Sequence, residues 1–126
     1  MTIQYLGLHH SSLLVRNLPQ SLAFYQNLLG MTVSPNRPDI GFDGAWLLLG
    51  QQQLHLLELP SPDPQHDRPE HVGRDRHVAF SVREIDSVIQ VLKENDIPFT
   101  MSRSGRQAVF FRDPDGNGLE FVSQQG

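Results

Sequence analysis

Four residues of types that commonly bind metal ions occupy matching positions in the two halves of this 126-residue chain. His10 and His77 each begin a short apolar segment that precedes a helical pattern, and they lie 67 residues apart. Later in each half, His55 and Glu120 stand within a second apolar segment, at a separation of 65 residues. Imidazole and carboxylate groups are the usual ligands of divalent metals in enzymes. A fold built twice, with donors at equivalent places, predicts one metal site assembled from both halves.

The elements that must position these donors repeat as well, and each half reads as β-α-β-β-β. In the first half we expect strands over 6–15, 31–33, 45–49 and 53–59, and a helix that begins near Pro19 and stops before Gly30. In the second half we expect strands over 76–82, 99–101, 107–112 and 118–123, and a helix over 84–95. Residues 60–75 contain four prolines and read as the linker between the halves.

Alternation along the strands places the four donors on faces that suit a cavity wall. In the first strand Ser12 and Leu14 share the face of His10, and in the fifth strand Ala79 and Ser81 share the face of His77. The opposite face of the fifth strand is wholly apolar, as expected beneath a helix. An inward-facing Glu120 is costly without a partner, and a divalent metal ion supplies one.

Composition narrows the class of protein further. A hydrophobic fraction of 38% and a charged fraction of 19% are typical of a globular chain, and a net charge of −4 argues against a nucleic-acid partner. The absence of cysteine excludes disulfides, thiolate metal ligands and a cysteine nucleophile. Neither a secretory signal nor an apolar run of membrane-spanning length is visible, so we expect a cytoplasmic protein without membrane partners.

The order of these segments resembles the vicinal oxygen chelate superfamily, which includes glyoxalase I, fosfomycin-resistance transferases, extradiol dioxygenases and bleomycin-binding proteins. The resemblance spans nearly the whole chain and rests on the segments 8–10, 24–30, 54–56, 77–80 and 113–120. It implies an α+β fold in which two βαβββ modules, about 5–60 and 75–123, form one cupped, mostly antiparallel sheet within a single glyoxalase-like domain. It also implies a divalent metal, with ligand positions falling on His10, His55, His77 and Glu120.

The resemblance leaves several activities open. Glyoxalase I usually has Glu at the position of His55, so Glu120 alone could move a proton as its metal-bound carboxylates do. A metal-dependent isomerase or lyase that uses Zn, Ni, Co, Mn or Fe is the leading expectation. The set His10, His77 and Glu120 also matches the iron triad of dioxygenases. A fosfomycin-type thiol transferase and a non-catalytic binding protein are further alternatives, although bleomycin-binding relatives lack the ligands.

The remaining expectations concern the substrate and the assembly. A small, oxygen-rich and anionic metabolite is expected, bound in a homodimer. Arginines before His77 and in the second half are candidate anion ligands or ordinary surface charges: Arg74, Arg76, Arg103, Arg106 and Arg112. Trp46 could line a pocket or pack in the core, whereas His9 is expected to face away from His10.

Overall fold

A computed structural model describes residues 1–124 and shows the two repeated modules. The first module consists of β1 (His10–Val15), α1 (Leu18–Leu22) continued by a π-helical segment (Ala23–Leu28), β2 (Thr32–Val33), β3 (Gly44–Leu49) and β4 (Gln52–Glu58). A 3-10 turn (Val72–Arg74) precedes the second module, which consists of β5 (His77–Val82), α2 (Asp86–Glu94), β6 (Thr100–Met101), β7 (Ala108–Arg112) and β8 (Gly118–Ser123).

Each module forms its own four-stranded mixed sheet, with the order β1-β4-β3-β2 in the first and β5-β8-β7-β6 in the second. The β1–β4 and β5–β8 pairs are parallel, and the other four pairings are antiparallel. The α+β class and the βαβββ order are therefore confirmed. The cupped sheet expected across both modules is divided into two open sheets, one for each module.

The register of the parallel pairs makes the two halves equivalent residue by residue. Ser12 lies opposite His55 in the first sheet, and Ala79 lies opposite Glu120 in the second. His10 and His77 each stand two residues earlier on their strands. The sequence repeat therefore corresponds to a structural repeat. Because both modules contain the same parallel strand pair in the same register, matched residues lie on matched faces of the two sheets.

One apolar core joins the two halves. Tyr25 and Leu92 of the helical segments are fully buried, and they pack in the same cluster as Leu54, Leu119, Phe111 of β7 and Phe121 of β8. These strand residues alternate with the donor face, so the helices cover one side of each sheet and leave the other side for chemistry.

The amino-terminal residues depart from the predicted strand, which was expected to begin at residue 6. The strand begins at His10, because its parallel partner β4 begins at Gln52 and offers no ladder beyond that point. Residues 1–9 are exposed, although they include several large apolar side chains: Met1, Ile3, Tyr5, Leu6 and Leu8. No helix within residues 1–124 is long and apolar enough to cross a bilayer.

Asp113 ties the second module's turn to the first module's helical segment. The Tyr25 hydroxyl donates to Oδ2 of Asp113 at 2.7 Å, and the backbone N–H groups of Asp115 and Asn117 donate to Oδ1 at 2.9 Å. Burial raises the pKa of Asp113, against the lowering effect of these hydrogen bonds, and burial also raises the pKa of Tyr25 well above its ordinary value. The turn 113–117 therefore serves as an anchor between the modules.

A second polar anchor holds the linker against β7. Asp75 Oδ2 accepts from Arg68 Nε at 2.8 Å and from Arg112 NH1 at 2.9 Å, and the Asp75 side chain is only 13% exposed. Burial opposes ionisation of Asp75, yet hydrogen bonds from Arg112, Arg68 and the Arg76 backbone together lower its pKa to about 2. Arg112 is therefore a structural residue and not the anion ligand considered from the sequence.

This anchor predicts a specific acid sensitivity. Because the folded-state pKa lies below the ordinary value of 3.8, Asp75 stabilises the fold above that pH, and the stabilisation is lost as pH falls toward about 2. The lowered pKa of Asp75 contributes roughly 2 kcal/mol to the free energy of unfolding at neutral pH. Asp75→Asn should therefore flatten the dependence of unfolding free energy on pH in this window. Urea unfolding from pH 2.5 to 6 measures this dependence. Asp43→Asn, at an exposed position, is the control and should behave like the parent. If the unfolding free energy of Asp75→Asn depends on pH as steeply as that of the parent, the prediction is contradicted.

Candidate functional site

The second module presents one pair of donors, His77 and Glu120. His77 Nε2 lies 3.0 Å from Glu120 Oε1, and His77 Nδ1 lies 2.9 Å from the carbonyl oxygen of Asp75. A carbonyl oxygen only accepts hydrogen bonds, so Nδ1 carries a proton and Nε2 faces the site. This is the arrangement by which a backbone group orients a histidine for a metal ion.

Glu120 is buried, with a side chain only 5% exposed, and both of its oxygens have partners. Oε1 contacts His77, and Oε2 accepts from Arg106 NH2 at 2.9 Å. The Arg106 side chain is 57% exposed and belongs to the polar turn after β6, so it can move into solvent without disturbing the core. Arg106 thus supplies a positively charged hydrogen-bond donor to this buried side chain.

The first module presents the equivalent pair, His10 and His55, as part of a stack of aromatic rings. The imidazole rings of His10 and His55 lie 4.0 Å apart at an interplanar angle of 15°. On the other side of His55, the indole of Trp46 lies 4.7 Å away at 12°. The stack runs across three neighbouring strands, because His55 lies between Ser12 and Trp46 in the sheet register.

Polar groups contact both histidines of this pair, and for His55 the contact selects the nitrogen that carries the proton. His55 Nε2 lies 2.8 Å from Gln53 Oε1, an acceptor, so Nε2 carries the proton and the lone pair is on Nδ1. His9 Nδ1 lies 2.8 Å from His10 Nδ1, which shows that His9 contacts His10 and does not face away from it. The expectation for His9 was wrong because residues 1–9 lie outside the ladder and do not alternate as a strand.

The surroundings of His55 favour its neutral form. Burial lowers its pKa, and the nearby His10, His9 and Arg37 lower it further. A neutral imidazole is the form that binds metal ions, so this environment keeps His55 competent as a ligand at pH values below its ordinary pKa.

The structure brings the four predicted donors together as two pairs, not as one cluster. Within residues 1–124 of a single chain, no group of three or more histidine and acidic side chains is arranged to hold a metal ion. Each pair lies on its own sheet at the same register position. The chemistry of the donor set suits a divalent metal, and within residues 1–124 of one chain the four donors form two separate pairs.

Two cavities adjoin these donor pairs. The first is a cleft of about 370 Å³ between β1 and β5, lined by Ser12, Leu14, His77 and Val78 and bordered by Arg68 and Arg76. The second has a volume of about 260 Å³ and lies against His10, His55 and Trp46, beneath the loop 35–43. Trp46 therefore lines a pocket, one of the two roles considered from the sequence.

Family relationships agree with this architecture. Residues 7–121 match the family described as the glyoxalase/bleomycin resistance protein/dioxygenase superfamily, and the chain belongs to that superfamily. It is 31% identical to "Glyoxylase I 4" of Arabidopsis thaliana over 93% of this chain and 70% of that protein. It is also 32% identical to YaeR, a protein of Escherichia coli, over 92% of this chain and 95% of YaeR.

Solved structures show the same fold. A protein assigned to the glyoxalase family from Bacillus anthracis superposes with a TM-score of 0.78 at 25% identity, covering 98% of both chains. The fosfomycin resistance protein FosX from Listeria monocytogenes, in complex with Mn(II) and a dihydroxypropylphosphonic acid, superposes with a TM-score of 0.72 at 20% identity, over 95% of this chain and 93% of FosX.

Sequence reasoning missed Arg37 and did not single out Arg106. Arg37 lies in the proline- and glycine-rich loop before β3, where an isolated arginine carries no periodic signal. Arg106 was grouped with other arginines of the second half, and only the fold shows that it reaches Glu120 from fourteen residues away. A charge facing a buried acid across a hairpin is the signal that could have identified it.

Proposed function

We propose that this protein is a metal-dependent enzyme of the glyoxalase type, an isomerase or lyase acting on a small, oxygen-rich metabolite. One observation carries the proposal: the pairs His10–His55 and His77–Glu120 occupy the same register positions in two sheets of the same design. The relationship to a protein named Glyoxylase I 4 supports the reaction class.

We propose further that His10, His55, His77 and Glu120 hold the metal ion and that two chains meet to complete the site. The two pairs are separate within one chain, so a second copy is the simplest source of the missing half. Residues 1–9 support a homodimer, because they lead directly into His10 and leave large apolar side chains uncovered.

A divalent metal in this site would act as a Lewis acid that stabilises negative charge on neighbouring substrate oxygens. The chain's own residues account for proton movement. Glu120 is a buried carboxylate whose exposed partner Arg106 can withdraw, which leaves an oxygen free to take and return a proton at carbon. The hydrogen bond from His77 Nδ1 to Asp75 keeps that imidazole aligned beside Glu120.

The test is conversion of a hemithioacetal, or of a related 2-oxo or 2-hydroxy compound, in the absence of oxygen. Protein loaded separately with Zn, Ni, Co, Mn or Fe should be active with at least one of these ions. His55→Glu should retain or raise the activity, because it supplies a second metal-bound carboxylate. Gln90→Glu, on the exposed face of α2, is the matched control. Activity only with iron, oxygen and a catechol would establish the dioxygenase alternative and contradict the proposal.

A fosfomycin-type thiol transferase is the second candidate. Metallothiol transferase FosB of Staphylococcus haemolyticus is 24% identical over 90% of this chain and 81% of that protein. The same metal-loaded samples, incubated with fosfomycin and a low-molecular-weight thiol, should form no adduct if the isomerase proposal holds. Adduct formation without isomerase activity would transfer the assignment to this class.

A further inference from the structure

The pocket beside the first-module histidines has chemically distinct walls. One wall is the stack of His10, His55 and Trp46, whose ring planes are nearly parallel. A second wall is apolar and comes from Ile40, Phe42 and Leu57. Arg37 also lines the pocket. A cavity that joins an apolar surface to a small number of polar groups is the usual form of a small-molecule site.

The guanidinium of Arg37 is fixed in place. Its NH2 donates to the carbonyl oxygen of Phe42 at 2.8 Å, and its central carbon lies 5.2 Å from the centre of the Phe42 ring. Gly44, which follows in β3, leaves room for this arrangement, because a Cβ at that position would come within 2.9 Å of Arg37 NH2 and would collide with the carbonyl oxygen of Leu56. The positive charge is therefore held at one edge of the pocket before any ligand arrives.

Arg37 combines partial burial with the lack of an acidic partner in residues 1–124. Five arginines in residues 1–124 form ion pairs with carboxylates: Arg16, Arg68, Arg76, Arg106 and Arg112. The unpaired ones are Arg37, Arg74, Arg83 and Arg103, and of these only Arg37 is half-buried. A half-buried guanidinium without a carboxylate is matched to an anion that comes from outside the chain.

We propose that this pocket binds a small carboxylate that carries a short apolar body, with the carboxylate on Arg37 and the body against Trp46 and Phe42. The inference rests on the proposed function in placing the substrate beside the metal-binding histidines, and it specifies the substrate class. A 2-oxo or 2-hydroxy acid with a branched side chain has the required groups, since it offers a carboxylate to Arg37 and a second oxygen to His10 and His55, which line the same pocket. The volume of about 260 Å³ suits a compact metabolite.

The single tryptophan of the chain is Trp46, so intrinsic fluorescence reports directly on this pocket. Metal-free protein titrated with 4-methyl-2-oxopentanoate should show a saturable change in Trp46 emission. Two comparison compounds should each bind at least about tenfold more weakly. The ketone 4-methyl-2-pentanone lacks the carboxylate that contacts Arg37, and acetate lacks the branched apolar group. Equal affinity for the ketone and the acid would overturn the inference, as would the absence of a saturable change in Trp46 emission. This test uses the parent protein alone.

Variants of Arg37 provide the second arm. Arg37→Gln should weaken binding of the 2-oxo acid by about 10- to 100-fold, the usual effect of losing a charged hydrogen bond. Arg37→Lys should recover part of the loss, and Arg83→Gln, an exposed and unpaired arginine, should match the parent. Parent-like affinity in Arg37→Gln contradicts the inference, as does equal loss in Arg83→Gln.

The metal measurement separates this inference from the proposed function. Arg37→Gln should bind metal ions as the parent does, because Arg37 is not a ligand. Selective binding of the acid by a protein that binds no metal would leave the carboxylate pocket standing and remove the metal-dependent reaction. Tight metal binding without selectivity for the acid would leave the metal-dependent reaction standing and remove the carboxylate pocket.

Discussion

Glu120→Ala is expected to lower metal affinity by at least ~100-fold, since even the outer-shell partners of metal ligands contribute 10- to 100-fold. His77→Ala should have a comparable effect. In the folded chain Glu120 is buried and contacts His77, so the substitution removes a preorganised carboxyl group beside that imidazole. Competition with a chelating dye measures the affinity, and far-UV circular dichroism verifies the fold.

Glu94→Ala serves as the control for this experiment. Glu94 is an exposed acid at the end of α2 whose contact is with Gln90, so its loss should leave metal affinity unchanged. Parent-like affinity and stoichiometry in both Glu120→Ala and His77→Ala would show that the metal site lies elsewhere. Loss of affinity in Glu94→Ala as well would indicate an unspecific effect of charge.

Asp113→Ala is expected to destabilise the fold by about 3–5 kcal/mol. The substitution leaves the fully buried Tyr25 hydroxyl without its acceptor and removes the acceptor for two backbone N–H groups of the turn. It also separates the first module's helical segment from the turn before β8. Chemical unfolding at pH 7 measures the loss.

Two further variants define this effect. Asp113→Asn retains one carboxamide oxygen as an acceptor and should cost less than Asp113→Ala. Asp39→Ala removes an acid whose carboxylate caps an exposed turn through the Gly41 N–H, and it should cost under ~1 kcal/mol. A loss below 1 kcal/mol in Asp113→Ala would show that the connection between the modules does not depend on this carboxylate.

The features that could be read from the sequence are those that repeat. The matched offsets of His10 with His77 and of His55 with Glu120 survive as matched register positions, because strand alternation and parallel pairing are both local rules. The βαβββ order follows from the same periodicity. Pro19 and Gly30 lie where expected, with Asn17 Oδ1 accepting from the Gln20 N–H to begin α1 and Gly30 at φ 73° after its end.

The features that could not be read are contacts between segments far apart in the chain. The link from Tyr25 to Asp113 spans 88 residues and leaves no periodic signal. The π-helical segment over Ala23–Leu28 follows an ordinary amphipathic pattern, so the residue types carry no signal for its wider turn. The separation of the four donors into two pairs depends on the relative placement of the two sheets, about which strand periodicity carries no information.

Because of Gly44, the pocket tolerates substitutions at some positions much better than at others. Ile40 of the loop lines the pocket with a half-exposed side chain that can be exchanged to suit a larger or smaller ligand. Position 44 admits no side chain without parting β3 from β4 and displacing Arg37. During evolution, selectivity for the apolar group of the ligand can therefore change through the loop. The position of Arg37, which binds the carboxylate, is constrained by the β3–β4 hairpin and changes much less readily.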